Sequence, residues 1–307
     1  MIEPLDSLQV NFDAGSLWIL NILIAIVMFG VALEIKTADF KRLFENPKIL
    51  FTGVISQFIL LPAITFLFVK ITTPSPSIAL GLLLVAACPG GNISNFMSHL
   101  AKGNSALSVS LTAFSTFLCL FMTPFNLQFW GNLYPPTAEI LKSVELNWYT
   151  MLKIVMLIVG IPLIIGMSMN HYFHRLSKKI AKILKPTSFL IFLGFIGVIF
   201  YNNFEIFTRN VHAVLFLVIG HNMIALLLGY YFSKAMGLSK KNQKTIAIET
   251  GIQNAGLGLL LIFSFFEGLG GMALLAAFWG LWDIVSGLTI AAYWGRKTIK
   301  SPECINS

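Results

Sequence analysis

The stretch "IALGLLLVAACPGGNISN", residues 78–95, decides the fold. Its first ten residues carry no charge, and no charged residue appears until Lys102. A run of this kind belongs in the hydrocarbon core of a bilayer. It is nevertheless interrupted by Pro89, Gly90 and Gly91, followed by Asn92, Ser94 and Asn95. In lipid, every backbone group freed by a helix break is costly unless protein or water satisfies it. A break at that depth implies a use.

Composition fixes the surroundings. Hydrophobic residues make up 56% of the 307 and charged residues 11%, with a mean hydropathy of +0.80. Soluble domains carry about 25% charged residues, so this chain cannot clothe a water-facing surface. The predicted class is all-α integral membrane, because apolar stretches of about 20 residues suit helices rather than a barrel. Residues 1–13 hold Glu3, Asp6 and Asp13 but no Lys or Arg. A signal peptide needs a basic start, so the first apolar stretch is expected to be a retained helix. Cys88, Cys119 and Cys304 are widely spaced and odd in number, and predict neither a disulfide nor a zinc site.

Nine spans are expected, near 15–35, 49–69, 78–101, 104–125, 149–169, 187–203, 211–233, 245–266 and 268–294. Their connections divide the basic residues unevenly. Seventeen of the 21 Lys and Arg fall on one side; only Lys70, Lys142, Lys153 and Arg209 lie at or near the other. By the positive-inside rule the C-terminus is cytoplasmic and, with nine spans, the N-terminus is outside. The expected location is the inner (cytoplasmic) membrane. The +8 charge is thereby explained without a nucleic-acid partner. The cluster at 175–185, "RLSKKIAKILK", reads either as topogenic charge or as an amphipathic helix on anionic lipid.

A second span is interrupted like the first. "ETGIQNAGLG", residues 249–258, puts Glu249, Gln253, Asn254 and three glycines inside the eighth span. With spans one to four as one unit and six to nine as another, each break falls in the third helix of its unit. The two units then run in opposite directions. Paired interruptions in inverted repeats are the best sequence pointer to a transporter's midplane site. The expected organisation is an outer segment 1–13, a first repeat 14–125, a middle region 126–186, a second repeat 187–295 and a cytoplasmic tail 296–307.

The side chains at the breaks suit a small hard cation. An ionised carboxylate within a bilayer must face protein, water or a cation, which singles out Glu249. Hard cations take carboxylate, amide, hydroxyl and carbonyl oxygens. Ser94, Asn95, Gln253 and Asn254 supply these at the breaks, and Gln57 is a lone amide in span two. Ser108 and Thr112 lie four apart on one face of span four. Plainer readings stand beside these. Ser108 and Thr112 also fit back-bonding to their own helix, and Gln57 fits interhelical glue. Asn92 fits a cap on the second half-helix. His221–Asn222 fits a packed, hydrogen-bonded pair as well as a proton relay. Asp283 either lines an aqueous path or meets an unidentified donor. The positive ends of half-helices at the breaks favour an anionic substrate.

"CPGGNISN", "LAKGNSALSVSLTAFST" (100–116) and "IETGIQNAGLG" (248–258) together resemble the bile acid:sodium symporters, of the apical sodium-dependent bile acid transporter type. The similarity runs from "MFGVALEIKTADF" (28–40) to "SGLTIAAYW" (286–294). The resemblance implies a panel domain and a core domain, with the two broken helices crossing beside two Na+ ions. One ion would be held by Ser94, Asn95, Ser108, Thr112 and Glu249. The other would be held by Gln57, Glu249 and Gln253, with backbone oxygens of Thr250 and Ile252. Asn254 would stand where the organic anion meets the crossing, with Gly91, Asn92 and Asp283 as further candidate contacts.

The likeness departs in two places. Bacterial members have ten helices, and this chain starts where their second would begin. Members also often carry His-Asn after a Trp in the last span, the Asn being a substrate contact, where this chain reads Trp282-Asp283-Ile284. That argues against a bile acid as the natural substrate, and an ionised Asp283 would repel an anion. The expected function is sodium-coupled import of an organic anion, bile-acid-like or a small carboxylate such as pantoate or a keto acid. Proton coupling through Glu249 is the alternative. An enzyme is not expected, because Glu249, Asp283, His221 and His99 are scattered, and a channel would give unsaturable flux.

Overall fold

A computed structural model describes residues 6, 22, 25–91, 93–144, 148–202 and 204–299. Among these residues there are helices and no strands. Residues 25–32 form α1. There follow α2 (Thr37–Phe44), α3 (Pro47–Thr72), α4 (Pro76–Ala87), α5 (Ile93–Leu100) and α6 (Ser105–Leu133). Next come α7 (Pro135–Ser143), α8 (Trp148–Tyr172), α9 (His174–Asn202) and α10 (Phe204–Ala235). The chain continues with α11 (Lys240–Gly251), α12 (Ala255–Phe265) and α13 (Gly270–Ile299).

Five helical stretches among the described residues are long and apolar enough to cross a membrane: Pro47–Thr72, Ser105–Leu133, Trp148–Tyr172, Val214–Ala235 and Gly270–Arg296. Two shorter apolar helices, α4 and α12, are halves of the interrupted spans. The first half of the expected span 15–35 lies, except for residue 22, outside the described residues, and its second half holds α1. Residues 187–202 of the expected span 187–203 lie within α9, which begins further upstream, so the basic cluster at 175–185 is helical, and residue 203 lies outside the described residues. The observed architecture is therefore that of an all-helical, multi-pass membrane protein.

Exposed apolar side chains mark the lipid face. Phe117, Phe121, Phe125 and Phe129 recur every four residues along α6 and are all exposed. Phe51, Ile59, Leu67 and Ile71, spaced in multiples of four along α3, are exposed as well. By contrast α4 is buried all round except at its first residue, as expected of a helix that is apolar on every face and enclosed by others. It packs against α13 and α6.

Two helices change pitch before a proline. In α3 the residues Ser56–Leu60 form a π-helical turn just ahead of Leu61-Pro62. In α8 the turn Met156–Gly160 precedes Ile161-Pro162. Pro62 has no N–H for the Phe58 carbonyl four residues back, and Asn126 of α6 donates to that oxygen instead at 3.0 Å. Such π-turns often mark functional positions, and this one carries Gln57.

Candidate functional site: the paired helix breaks

The first break follows from Pro89. A residue before proline is driven out of the helical region, and Cys88 is extended at φ −74°, ψ 156°. The second break follows Gly251, with Ile252 extended at φ −105°, ψ 106°. The two interruptions lie side by side and pair like a fragment of antiparallel sheet. Gly90 opposes Gln253. The Gly91 N–H donates to the Ile252 carbonyl at 3.0 Å, and the Asn254 N–H to the Pro89 carbonyl at 2.9 Å. Glycine suits this approach, because a side chain would force the neighbouring backbone to give. A Cβ on Gly90 would stand 3.0 Å from the Glu249 carbonyl and 3.1 Å from its Oε2, and one on Gly91 would stand 3.0 Å from the Gln253 carbonyl.

The remaining freed carbonyls find side chains. Thr123 Oγ1 donates to the Ala87 carbonyl at 2.7 Å. Gln57 Nε2 donates to the Cys88 carbonyl at 2.8 Å. Asn222 Nδ2 donates to the Gly251 carbonyl at 2.9 Å. Leaving one such buried group unpaired costs about 1–3 kcal/mol, so these contacts make the breaks tolerable at depth. Asn254 caps α12 through its side-chain oxygen, which accepts from the Leu257 N–H at 3.0 Å.

Glu249, buried on α11, is the centre of the polar cluster. Three hydroxyls donate to its carboxylate: Ser94 of α5 at 2.7 Å, Ser108 of α6, and Thr112 of α6 at 2.8 Å. Thr112 also reaches Asn95 Oδ1 at 3.2 Å. The resemblance groups these five residues around one ion, and the fold brings the five side chains together. Ser108 and Thr112 do not back-bond to their own helix here; they face Glu249.

A second group adjoins the first. Gln57 Nε2 donates to Gln253 Oε1 at 2.8 Å, and Gln253 Nε2 donates to the Thr250 carbonyl at 2.6 Å. The Ile252 carbonyl is taken by Gly91, as above, and keeps a second lone pair. Ser56 and Thr250 share a hydrogen bond of 2.9 Å between their hydroxyls. Beside them lies a mostly apolar cavity of about 20 Å³ whose wall includes Gln57, Gly90, Glu249 and Thr250 along with Phe58, Leu111 and Phe114. That is room for about one water-sized occupant. The two groups around it offer carboxylate, amide, hydroxyl and peptide oxygens, which suit an alkali cation better than a transition metal.

Asp283 of α13 is also buried, but on a different contact set. Its Oδ1 accepts from Asn222 Nδ2 at 3.1 Å and its Oδ2 from the Gln253 N–H at 2.9 Å. The sequence left the donor to this carboxylate unidentified; it is the break itself, with α10. His221 does not join the network. Its Nε2 meets Thr65 Oγ1 at 2.5 Å, and its ring packs on Phe68 and Trp279. Gly91 lies at the crossing, whereas Asn92 lies outside the described residues.

A larger cavity of about 770 Å³ ends at Asn95 and Thr112. Its walls carry Lys36, Arg42, Lys178 and Lys182, together with Glu34, Asp39 and His174. Asp39 is engaged locally, accepting from the Lys36 N–H at 3.0 Å and pairing with Arg42 at 3.5 Å. The end of α1 is tied to the opposite wall. Asn170 donates to the Ile35 carbonyl at 2.8 Å and Ser177 to the Leu33 carbonyl at 2.9 Å. The basic cluster at 175–185 thus contributes part of its charge to this vestibule, which neither sequence reading of it foresaw. Ser56, Thr123 and Asn126 were also missed; single hydroxyls and amides in apolar runs carry no pattern to find them by.

Comparison with known proteins supplies the family. The profile of the sodium bile acid symporter family matches residues 21–210. The chain belongs to that family. It is 32% identical over 294 residues to the sodium-dependent transporter YocS of Bacillus subtilis, covering 94% of this chain and 88% of that one. It is 30% identical to the probable chloroplastic sodium/metabolite cotransporter BASS1 of Arabidopsis thaliana, over 91% of this chain and 67% of the relative. It is 28% identical to the human ileal sodium/bile acid cotransporter, over 78% and 67% respectively. These relatives are transporters and cotransporters, not enzymes, and the chain is a sodium-dependent membrane transporter of this type.

Proposed function

We propose that the protein imports a small organic anion in symport with two sodium ions, by alternating access across the cytoplasmic membrane. The observation that carries this reading is the convergence of Ser94, Ser108 and Thr112 on the Glu249 carboxylate. A buried carboxylate ringed by hydroxyls lacks a countercharge, and sodium supplies one while the hydroxyl oxygens turn their lone pairs toward it. The first ion takes Ser94, Asn95, Ser108, Thr112 and Glu249. The second takes Gln57, Glu249 and Gln253 with the Thr250 and Ile252 carbonyls, next to the one-occupant cavity.

Sodium binding draws the two breaks into one geometry, and the anion then meets the crossing at Gly91 and Asn254. Differential affinity of the ions for the two conformations drives the cycle, since ions binding both equally would shift nothing. The basic vestibule supports an anionic cargo, because like-signed walls concentrate the opposite charge. It opens at the Lys- and Arg-rich end of the helices, the cytoplasmic end by the positive-inside rule, and so corresponds to an inward-facing state. The organisation proposed is nine spans, with inverted repeats at 14–125 and 187–295 about the middle region 126–186. The N-terminus is outside and the C-terminus cytoplasmic.

The test is a thermal-shift screen of monocarboxylates, keto acids, pantoate-like acids and bile acids on the purified protein, with sodium and with potassium replacing it. A stabilising anion whose effect requires sodium is the expected result. Anion binding of equal strength in both salts would overturn the reading.

A further inference from the structure

Asp283 has no place in either proposed ion shell, yet it is among the most constrained carboxylates of the molecule. It is only 2% exposed, and both of its oxygens are bonded. One bond goes to the backbone N–H of Gln253, at the point where α11 has ended and α12 has not begun. The other goes to Asn222, whose same amide group also holds the Gly251 carbonyl at the other end of the break. The pair therefore grips the interruption on both sides, from two helices that contribute nothing else to the ion shells.

Building on the proposed sodium reading, we infer that Asp283 is a positioning residue for the second cation group. With Asn222 it fixes the backbone of Gly251–Gln253 and so aims the Gln253 side chain at Gln57. The chemistry favours a carboxylate at this point. Two donors converge on Asp283 from different directions, and a carboxylate has only acceptors to offer. An amide there would satisfy the Gln253 N–H with its oxygen but turn an NH2 toward the Asn222 NH2. Asn222 could relieve that clash by flipping, and would then set its own oxygen against the Gly251 carbonyl. No amide arrangement satisfies all three contacts.

The consequence is selective. The group at Glu249 is built from α5, α6 and α11 and does not touch Asp283. The group at Gln57 and Gln253 is the one that depends on it. Loss of Asp283 should therefore weaken one sodium ion and spare the other.

The experiment is sodium-dependent uptake by the full-length protein in liposomes, using the anion found in the screen, for wild type, Asp283→Ala, Asp283→Asn and Asn222→Ala. Half-saturating sodium should rise tenfold or more in Asp283→Ala. The Hill coefficient for sodium should fall from about 2 toward about 1, the number of sites left intact. KM for the anion at saturating sodium should stay within threefold of wild type. Asp283→Asn and Asn222→Ala should lie between, since each keeps one grip on the break. Size-exclusion profiles identify any variant that fails to fold, and Asp283→Asn, of equal volume, serves if Asp283→Ala does. An unchanged sodium curve in a folded variant overturns the inference, as does an equal fall in maximal rate with sodium and anion constants untouched. Absence of sodium dependence in the wild type would instead remove the symport reading on which it rests.

Discussion

Glu249→Gln isolates the charge at the centre of the site with little change of shape. Ser94 and Ser108 donate to Oε1 and Thr112 to Oε2. A glutamine that keeps its oxygen toward the two serines presents its NH2 to Thr112. That hydroxyl can accept from the amide while donating to Asn95 Oδ1, already 3.2 Å away. The substitution therefore keeps a partner for every existing hydroxyl and adds at most one unpaired amide N–H, and folding should survive it. Sodium binding should not. At 4 Å and an effective dielectric constant of about 20, a unit charge pair is worth about 4 kcal/mol, or roughly 1,000-fold in affinity. Ligand at 100 times its Kd stabilises a protein by about 2.7 kcal/mol, and a 1,000-fold weaker Kd reduces this to about 0.1 kcal/mol or less. Melting in detergent with sodium or potassium reads the difference directly. The wild type should gain stability from sodium, and Glu249→Gln should gain none. In sodium-free buffer the variant should melt no lower than the wild type, because an uncompensated buried carboxylate has been removed. Sodium stabilisation of normal size in Glu249→Gln, or half-saturating sodium within threefold of wild type in uptake, would refute the reasoning.

Three further outcomes are expected. Gly90→Ala forces a methyl group to 3.0 Å from the Glu249 carbonyl, and a shift of this kind should lower sodium-dependent uptake about tenfold or more; normal uptake would show that the close approach is dispensable. The double change Lys178→Gln with Lys182→Gln, on the vestibule wall, should raise the anion's Kd on the cytoplasmic side about three- to tenfold at low salt and much less at high salt. The sodium constant should not move, and a change independent of salt would assign these lysines another role. In sodium-free vesicles an imposed pH gradient should drive no uptake; accumulation of the anion there would make the proton the coupling ion.

Much of the site was legible because breaking a membrane helix is so costly that the residues doing it announce themselves. Pro89, Gly90 and Gly91 in one apolar run, and Gly251 to Asn254 in another, have no competing reading as lipid-facing helix. Glu249 is legible for the same reason. What could not be read was the satisfaction of the freed carbonyls. Thr123 and Asn126 sit singly on the long helix α6, indistinguishable by pattern from hydroxyls and amides that bond within their own helix. Asn222 was visible beside His221 but not its direction, and the fold turned the pair apart, the amide to the break and the imidazole to Thr65. The lengths of α6 and α9 were also underestimated, because hydropathy reports where lipid ends and not where a helix does.

These points bear on why two interruptions occur rather than one. A single broken helix would leave Pro89 and Ile252 carbonyls, and the N–H groups opposite them, to be met by side chains alone. Set antiparallel, the breaks meet most of that need with each other, through the Gly91–Ile252 and Asn254–Pro89 bonds. The side chains of the same residues are then released from structural duty. Ser94 can face Glu249 and Gln253 can face Gln57 because backbone pairs with backbone between them. The same pairing makes the two proposed cation groups one mechanical unit: any displacement of Gly90 against Gln253 moves Glu249 relative to Ser94 and Gln57 together. An ion that fits both groups only when the pairing is intact therefore favours one relative position of the two half-helix pairs. That is the differential affinity an alternating-access cycle requires.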